Sequence, residues 1–162
     1  MKAIVKRAKL NLKKGDNMKM PDYITVQEVK RVCKRLKIRD WTQLKKAEVP
    51  LKEARIIFAA IKAGKMKIEL EEFCKGLEVE LEHGLVFKDA NVTNNHPMLT
   101  GKIVLAHFKE SLDYYRRLEI SELEGDLFEA VKAKNSAKTR ALYRKLAAAK
   151  LALSKAEGKQ LG

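Results

Sequence analysis

From Thr25 to Ala156, apolar side chains recur three and four residues apart, punctuated by signals that start and stop helices. Residues at that spacing share one face of an α-helix, and a chain that repeats the pattern must bury those faces against one another. Thr25 followed by Glu28 makes a capping box, after which Val26, Val29, Val32, Cys33 and Leu36 carry a first helix to about Lys37. Asp40 is placed to cap a short turn through Trp41 and Leu44. Pro50 and Leu51 open a second helix, with Ala54, Ile56, Ile57, Phe58, Ala60 and Ile61 buried and a stop at Gly64. A third begins near Ile68 and runs through Leu70, Phe73, Cys74, Leu77, Val79 and Leu81 to His83, with Gly84 suited to the left-handed position that follows a helix. Residues 87–95 have turn composition, and Pro97 fits the first position of a fourth helix capped by Asn95 or His96. That helix is expected to run from Met98 through Leu118 and on to about Ala133, burying Ile103, Leu105, Ala106, Phe108, Leu112 and Tyr115. Asn135 and Ser136 interrupt the pattern before a last helix, Ala137 to Ala156, with a thin stripe of Leu142, Leu146, Leu151 and Leu153 that calls for a partner surface.

The expected fold is therefore all-α: a compact bundle of about five helices with a basic N-terminal arm and a Lys/Ala-rich C-terminal helix. The expected divisions are a flexible arm over 1–24, a helical domain over 25–134 and a basic helix over 135–162. Composition agrees, since 46% hydrophobic residues can build a core, whereas 6% aromatics and three prolines do not suit a sandwich or barrel. Cys33 and Cys74 have neither CxxC spacing nor a paired framework, which argues against a disulfide-stapled scaffold and makes them small apolar fillers. The first 20 residues lack the apolar run of a secretory signal, and no stretch approaches the roughly 20 apolar residues of a membrane span. The expectation is a cytoplasmic protein with no membrane association.

The net charge of +14 is unevenly distributed. Residues 1–70 hold 20 basic and 7 acidic side chains, residues 71–125 hold 6 and 11, and residues 126–162 hold 9 and 3. Basic ends flanking an acidic middle suggest that the ends meet a polyanion, to which Lys2, Lys6, Arg7, Lys9, Lys13 and Lys14 of the arm and Lys30, Arg31, Lys34 and Arg35 of the first helix would contribute. Neither a recognition-helix signature nor an RNP block nor a zinc finger is present, so the composition supports contact without sequence-specific readout.

All three histidines fall in the acidic middle, between residues 83 and 107. Glu80 with His83, and His107 with Glu110, stand three residues apart, so each pair shares a helix face. Two such pairs from neighbouring helices could converge on a divalent ion such as Zn, Fe or Mn, with His83, His107 and Glu110 as ligands and Glu80 beside them. Glu82, Asp89, His96 and Asp113 are reserve donors, and His96, Asp113 and Tyr114 form a wider polar group. The same spacing also arises in ordinary solvated ion pairs, and it matches neither HExxH nor the ExxH of di-iron bundles. Thr100-Gly101-Lys102 lacks the leading glycine and strand of a phosphate loop, and neither cysteine has a histidine beside it.

Four blocks go beyond generic helix: Val79 to Gly84 (VELEHG), Asn91 to Asn94 (NVTN), Thr100 to His107 (TGKI-LAH) and Asp113 to Glu119 (DYY-RLE). The chain resembles, over about residues 73–119, a small uncharacterised family of bacterial and phage proteins that carries them. The resemblance implies a compact helical domain of unknown function, with His83, His107, Tyr114 and Tyr115 inside its blocks and an acidic pair where this chain has Asn95 and His96. It also implies that the arm and the last helix are additions.

Three functions are consistent with these features. The first is a non-enzymatic binding or structural protein whose basic ends contact nucleic acid or another polyanion, in its phage version a virion-associated component working with other assembly proteins. The second is a metal-dependent enzyme of hydrolase type at the His/Glu pairs. The third is a protein–protein interaction module, with head-to-tail homo-oligomerisation favoured by the opposed charges of the zones.

Overall fold

The computed structural model describes residues 24–64 and 66–162. Six α-helices make up the described residues, with no strand: α1 (Val26–Leu36), α2 (Leu51–Ile61), α3 (Leu70–Val86), α4 (Pro97–Glu110), α5 (Tyr114–Lys132) and α6 (Ser136–Leu161). The arm expected over 1–24, with Lys2, Lys6, Arg7, Lys9, Lys13 and Lys14, lies outside the described residues except for Ile24. Among the described residues no helix is long and apolar enough to cross a membrane.

Local chemistry explains most helix ends. Thr25 Oγ1 accepts from the Glu28 amide at 3.2 Å, but the Glu28 carboxylate turns to Arg31 at 2.6 Å, so the capping box is only half formed. Asp40 accepts from the Thr42 amide and caps the short Trp41–Gln43 turn as expected. Three helix boundaries differ from expectation, the simplest being the end of α6, which runs to Leu161 and not Ala156. Next, α3 continues through Gly84 to Val86, because the asparagines of the next loop dock against Gly84. Last, the long helix expected from Met98 onward is split. Ser111 is extended at φ −157°, its hydroxyl donates to Asp113, and Asp113 opens α5. A side chain bonding to nearby groups offers the backbone an alternative to the helix, and here it wins. Leu112 at the break is consequently exposed, as is Ala106, while Val104 takes a core place instead.

The core joins Val29 and Cys33 of α1, Trp41, Ala54 and Ile57 of α2, Phe73, Leu77 and Leu81 of α3, Val104 and Phe108 of α4, and Tyr115 of α5. Helices α2, α3 and α4 pack mutually, α1 leans on α4, and the start of α5 closes against α3 and α4. Gly76 permits this closure, because a Cβ there would stand 2.7 Å from both the Tyr115 ring and Val104 Cγ1. A buried carboxylate fixes the segment between α1 and α2. Glu53 accepts from the Arg39 amide at 3.0 Å, from Arg39 Nε at 2.8 Å and from the fully buried Trp41 indole at 3.2 Å. Burial raises the Glu53 pKa, but these hydrogen bonds and the Arg39 charge outweigh it and leave the carboxyl below its usual value.

Beyond the core, α5 turns back into α6 as an antiparallel hairpin. Ile120, Leu123, Leu127 and Ala130 on α5, and Leu142, Leu146, Ala149 and Leu153 on α6, follow the alternating three- and four-residue spacing of a coiled-coil seam. Ala130, Leu142 and Leu146 are buried yet stand apart from the main core, so the outer hairpin has a small apolar seam of its own. The partner that the thin Leu stripe calls for is α5, although Leu151 is 57% exposed and takes no part in the seam. At its other end α6 is tied back by Glu157, which pairs with Arg117 at 2.6 Å.

Candidate functional site

Glu80 is the centre of the cluster expected from the spacing of the histidines. Its helix, α3, faces α4 and the start of α5, and its side chain is 13% exposed. The Tyr115 hydroxyl donates to Glu80 Oε1 at 3.0 Å, and His107 Nε2 lies 3.4 Å from the same oxygen. His83 Nδ1 approaches Glu80 Oε2 at 3.8 Å, and His107 Nδ1 stands 3.9 Å from Glu110 Oε2. Tyr114 stacks on the His107 ring with centroids 4.1 Å apart, while Tyr115 meets that ring edge-on at 6.0 Å. Burial and the Glu80 charge together raise the Tyr115 pKa far above the usual phenol range, so Tyr115 is a permanent donor to the carboxylate.

All four residues named as the first ligand set therefore come into one neighbourhood, but as carboxylate–imidazole pairs around Glu80. Among the described residues no group of three or more His, Cys, Asp or Glu side chains is arranged to hold a metal ion. His107 Nδ1 is buried and makes no hydrogen bond among the described residues, whereas His83 is half exposed. Beside Glu80 and His83 opens a cleft of about 300 Å³, walled by Phe87, Asn91, Thr93 and Ile103. The cluster ties α3, α4 and α5 together.

The wider polar group separates into individual roles. His96 is buried and caps α4, its Nδ1 accepting from the Met98 and Leu99 amides at 3.2 and 3.3 Å. Burial lowers its pKa, and the charges it feels are Glu28 and Arg31 of α1, which sets it apart from Glu80. Asp113, buried at the break between α4 and α5, accepts two bonds from Arg117 at 3.0 Å, and these outweigh burial to lower its pKa. Tyr114 alone of the three joins the Glu80 cluster, and burial raises its pKa. The loop after α3 is held by Asn91, whose Nδ2 donates to Gly84 O and to Asn95 Oδ1, both at 3.0 Å. A Cβ on Gly84 would stand 2.0 Å from that Asn95 oxygen.

Sequence reasoning missed the Glu53 network and the role of Tyr115 as a buried donor. Tyr115 had a usable signal: it stands at helical spacing from Leu118, beside the surface-facing Tyr114. The basic residues of α1 are on the surface, with Lys30, Arg31, Lys34 and Arg35 all exposed. No curated protein and no solved structure matches this chain. One family does, covering residues 29–124, from the middle of α1 to the middle of α5, and its description gives no activity. By that match the chain belongs to the family described as Protein of unknown function (DUF5661).

Proposed function

We propose that this protein is a non-enzymatic binding protein whose basic surfaces contact nucleic acid. The observation that carries the reading is α6: in its 26 residues only Leu142 and Leu146 are buried, and seven Lys or Arg side chains stand against the single Glu157. A helix so little consumed by packing presents its charge to a partner. The exposed Lys30, Arg31, Lys34 and Arg35 of α1 add a second basic face. Lysine and arginine gain affinity for phosphates by releasing condensed counterions, which needs no defined motif. A component that assembles on nucleic acid, virion-associated in the phage case, is the specific form of this proposal.

Fluorescence anisotropy with labelled DNA across a salt series tests it. Affinity should fall steeply with salt, and replacing Lys30, Arg31, Lys34 and Arg35 by Gln should flatten the slope. No binding at 50 mM salt would sink the reading. Size measurement in the same buffers separates it from self-association or docking to a basic protein.

The second reading, a metal-dependent hydrolase at His83, His107 and Glu110, draws only on the gathering of these residues around Glu80, since among the described residues no three of them are arranged to hold an ion. Metal analysis of the purified protein and of His107→Ala decides it. Absence of stoichiometric Zn, Fe or Mn from the parent protein would end it.

A further inference from the structure

Three large apolar side chains near the hairpin turn are exposed: Phe128 and Tyr143 at 66% each and Val131 at 57%. Scattered singly they would need no explanation. They share one edge, however. Glu124, Phe128 and Val131 are spaced i, i+4, i+7 along α5, and Tyr143, Ala147 and Lys150 are spaced likewise along α6, so each set lines one helix face. Lys150 pairs with Glu124 at 2.7 Å across the hairpin, which identifies the two faces as borders of the same edge. Because the helices are antiparallel about the turn at 133–135, Phe128, Val131 and Tyr143 all lie toward its tip.

That edge is also basic. Between Leu127 and Ala149, six Lys or Arg residues stand against Glu129 alone. Lys132 and Lys138 are paired with Glu129 and Asp126, at 3.7 and 3.9 Å. Lys134, Arg140, Arg144 and Lys145 have no acidic partner among the described residues. Arg140, three residues before Tyr143, is its neighbour on the helix face, and Arg144, four residues after Arg140, extends that basic row beside the ring.

We infer that this edge binds single-stranded nucleic acid, with Tyr143 and Phe128 stacking on bases and Arg140 and Arg144 meeting phosphates. The inference rests on the nucleic-acid reading above and specifies its substrate and its site. Only an unpaired strand offers accessible base faces and phosphates together. A duplex hides its base faces and would leave both rings without a function. A lipid surface needs a broad apolar face, whereas on α6 Leu142 and Leu146 are buried and the exposed leucines, Leu151 and Leu161, stand ten residues apart. An apolar protein partner would cover the rings but strand the guanidinium charges.

The test uses the full chain with a labelled 20-nucleotide oligo-dT and a 20-base-pair duplex, at several salt concentrations. Phe128, Arg140, Tyr143 and Arg144 are exposed, so their variants should keep the parent circular dichroism. Tyr143→Ala should weaken single-strand binding roughly tenfold with the salt slope unchanged, and Tyr143→Phe should restore it. Arg140→Gln with Arg144→Gln should reduce the slope by about 1.4, at about 0.7 for each phosphate no longer neutralised. Equal affinity for both nucleic acids, or indifference to Tyr143→Ala, overturns this inference and leaves the basic-surface reading standing. Failure to bind either nucleic acid at 50 mM salt overturns both.

Discussion

Replacing Gly76 and Gly125 by alanine, one at a time, should move stability in opposite directions. Both glycines lie inside helices, α3 and α5, where alanine gains about 1 kcal/mol by limiting the freedom of the unfolded chain and suiting the helix. At Gly125 nothing lies within 4 Å of the new methyl, so the full gain should appear. At Gly76 the methyl would meet Tyr115 Cε2 and Val104 Cγ1 at 2.7 Å and Tyr115 Cζ at 3.0 Å. Neither neighbour has anywhere to go: Val104 is fully buried, and Tyr115 is 1% exposed with its hydroxyl held by Glu80. Overpacking of this kind costs about 1–3 kcal/mol, so Gly76→Ala should end about 1 kcal/mol below the parent. The two variants should differ by about 2 kcal/mol, or about 4–8 °C in Tm for a chain of this size. Urea unfolding followed by circular dichroism at 222 nm reads the difference directly. If Gly76→Ala is as stable as Gly125→Ala, α3, α4 and α5 do not meet as closely as described.

Two further effects depend on pH. His96 caps α4 through an unprotonated Nδ1, and its folded pKa lies below its usual value of about 6.5. The unfolded chain therefore binds the proton more readily, and stability should fall as pH drops below about 6.5. His96→Asn should retain the cap and lose that dependence in urea melts from pH 7.5 to 5, and His96→Ala should cost about 1 kcal/mol at pH 7.5. Glu53→Gln should cost about 1–2 kcal/mol at pH 7, since Arg39 and Trp41 lose a charged acceptor and the Arg39 side chain is 42% exposed. Because the Glu53 pKa is lowered in the fold, its contribution is complete above the unfolded carboxyl value and lost as pH falls through the lower folded one. The gap between parent and variant in urea midpoint should thus be widest at neutral pH and narrow as pH falls below the unfolded carboxyl value of about 4.3.

Helix type and order were legible because apolar spacing and caps are local. Thr25 and Asp40 cap as expected, and Asn135, read only as an interruption, also caps the helix that follows, accepting from the Lys138 amide at 3.0 Å. The break after Glu110 was obscured because apolar periodicity runs straight through it. Only the bond between Ser111 and Asp113, together with the Arg117 pairing, makes an interruption more favourable than a continuous helix. Gly84 misled in the opposite sense. Glycine after a periodic run is the usual stop, but here its missing Cβ admits Asn91 and Asn95, a tertiary demand that local spacing does not encode. The Glu80–His83 and His107–Glu110 pairs were legible as two helix faces. That the faces could converge was legible too, but not the form this takes, pairs centred on Glu80 with Tyr115 donating to it, because that depends on how α3, α4 and α5 cross.

The residues that carry the family likeness are mostly accounted for by packing. Gly84 and Asn91 lock the loop, while Glu80, His107 and Tyr115 fasten three helices to one another. The family match stops at residue 124, before Phe128, Tyr143 and the basic residues Lys134, Arg140, Arg144 and Lys145 near the turn. The outer hairpin has its own seam of Ala130, Leu142 and Leu146, apart from the main core. Substitutions at its exposed edge are distant from the core and should add to core substitutions without coupling. Substitution at a surface so insulated should leave the fold intact, whereas a change at Glu80 or Tyr115 disturbs three helices at once. The match thus ends within α5, where the helix leaves the main core and enters the separate seam of the outer hairpin.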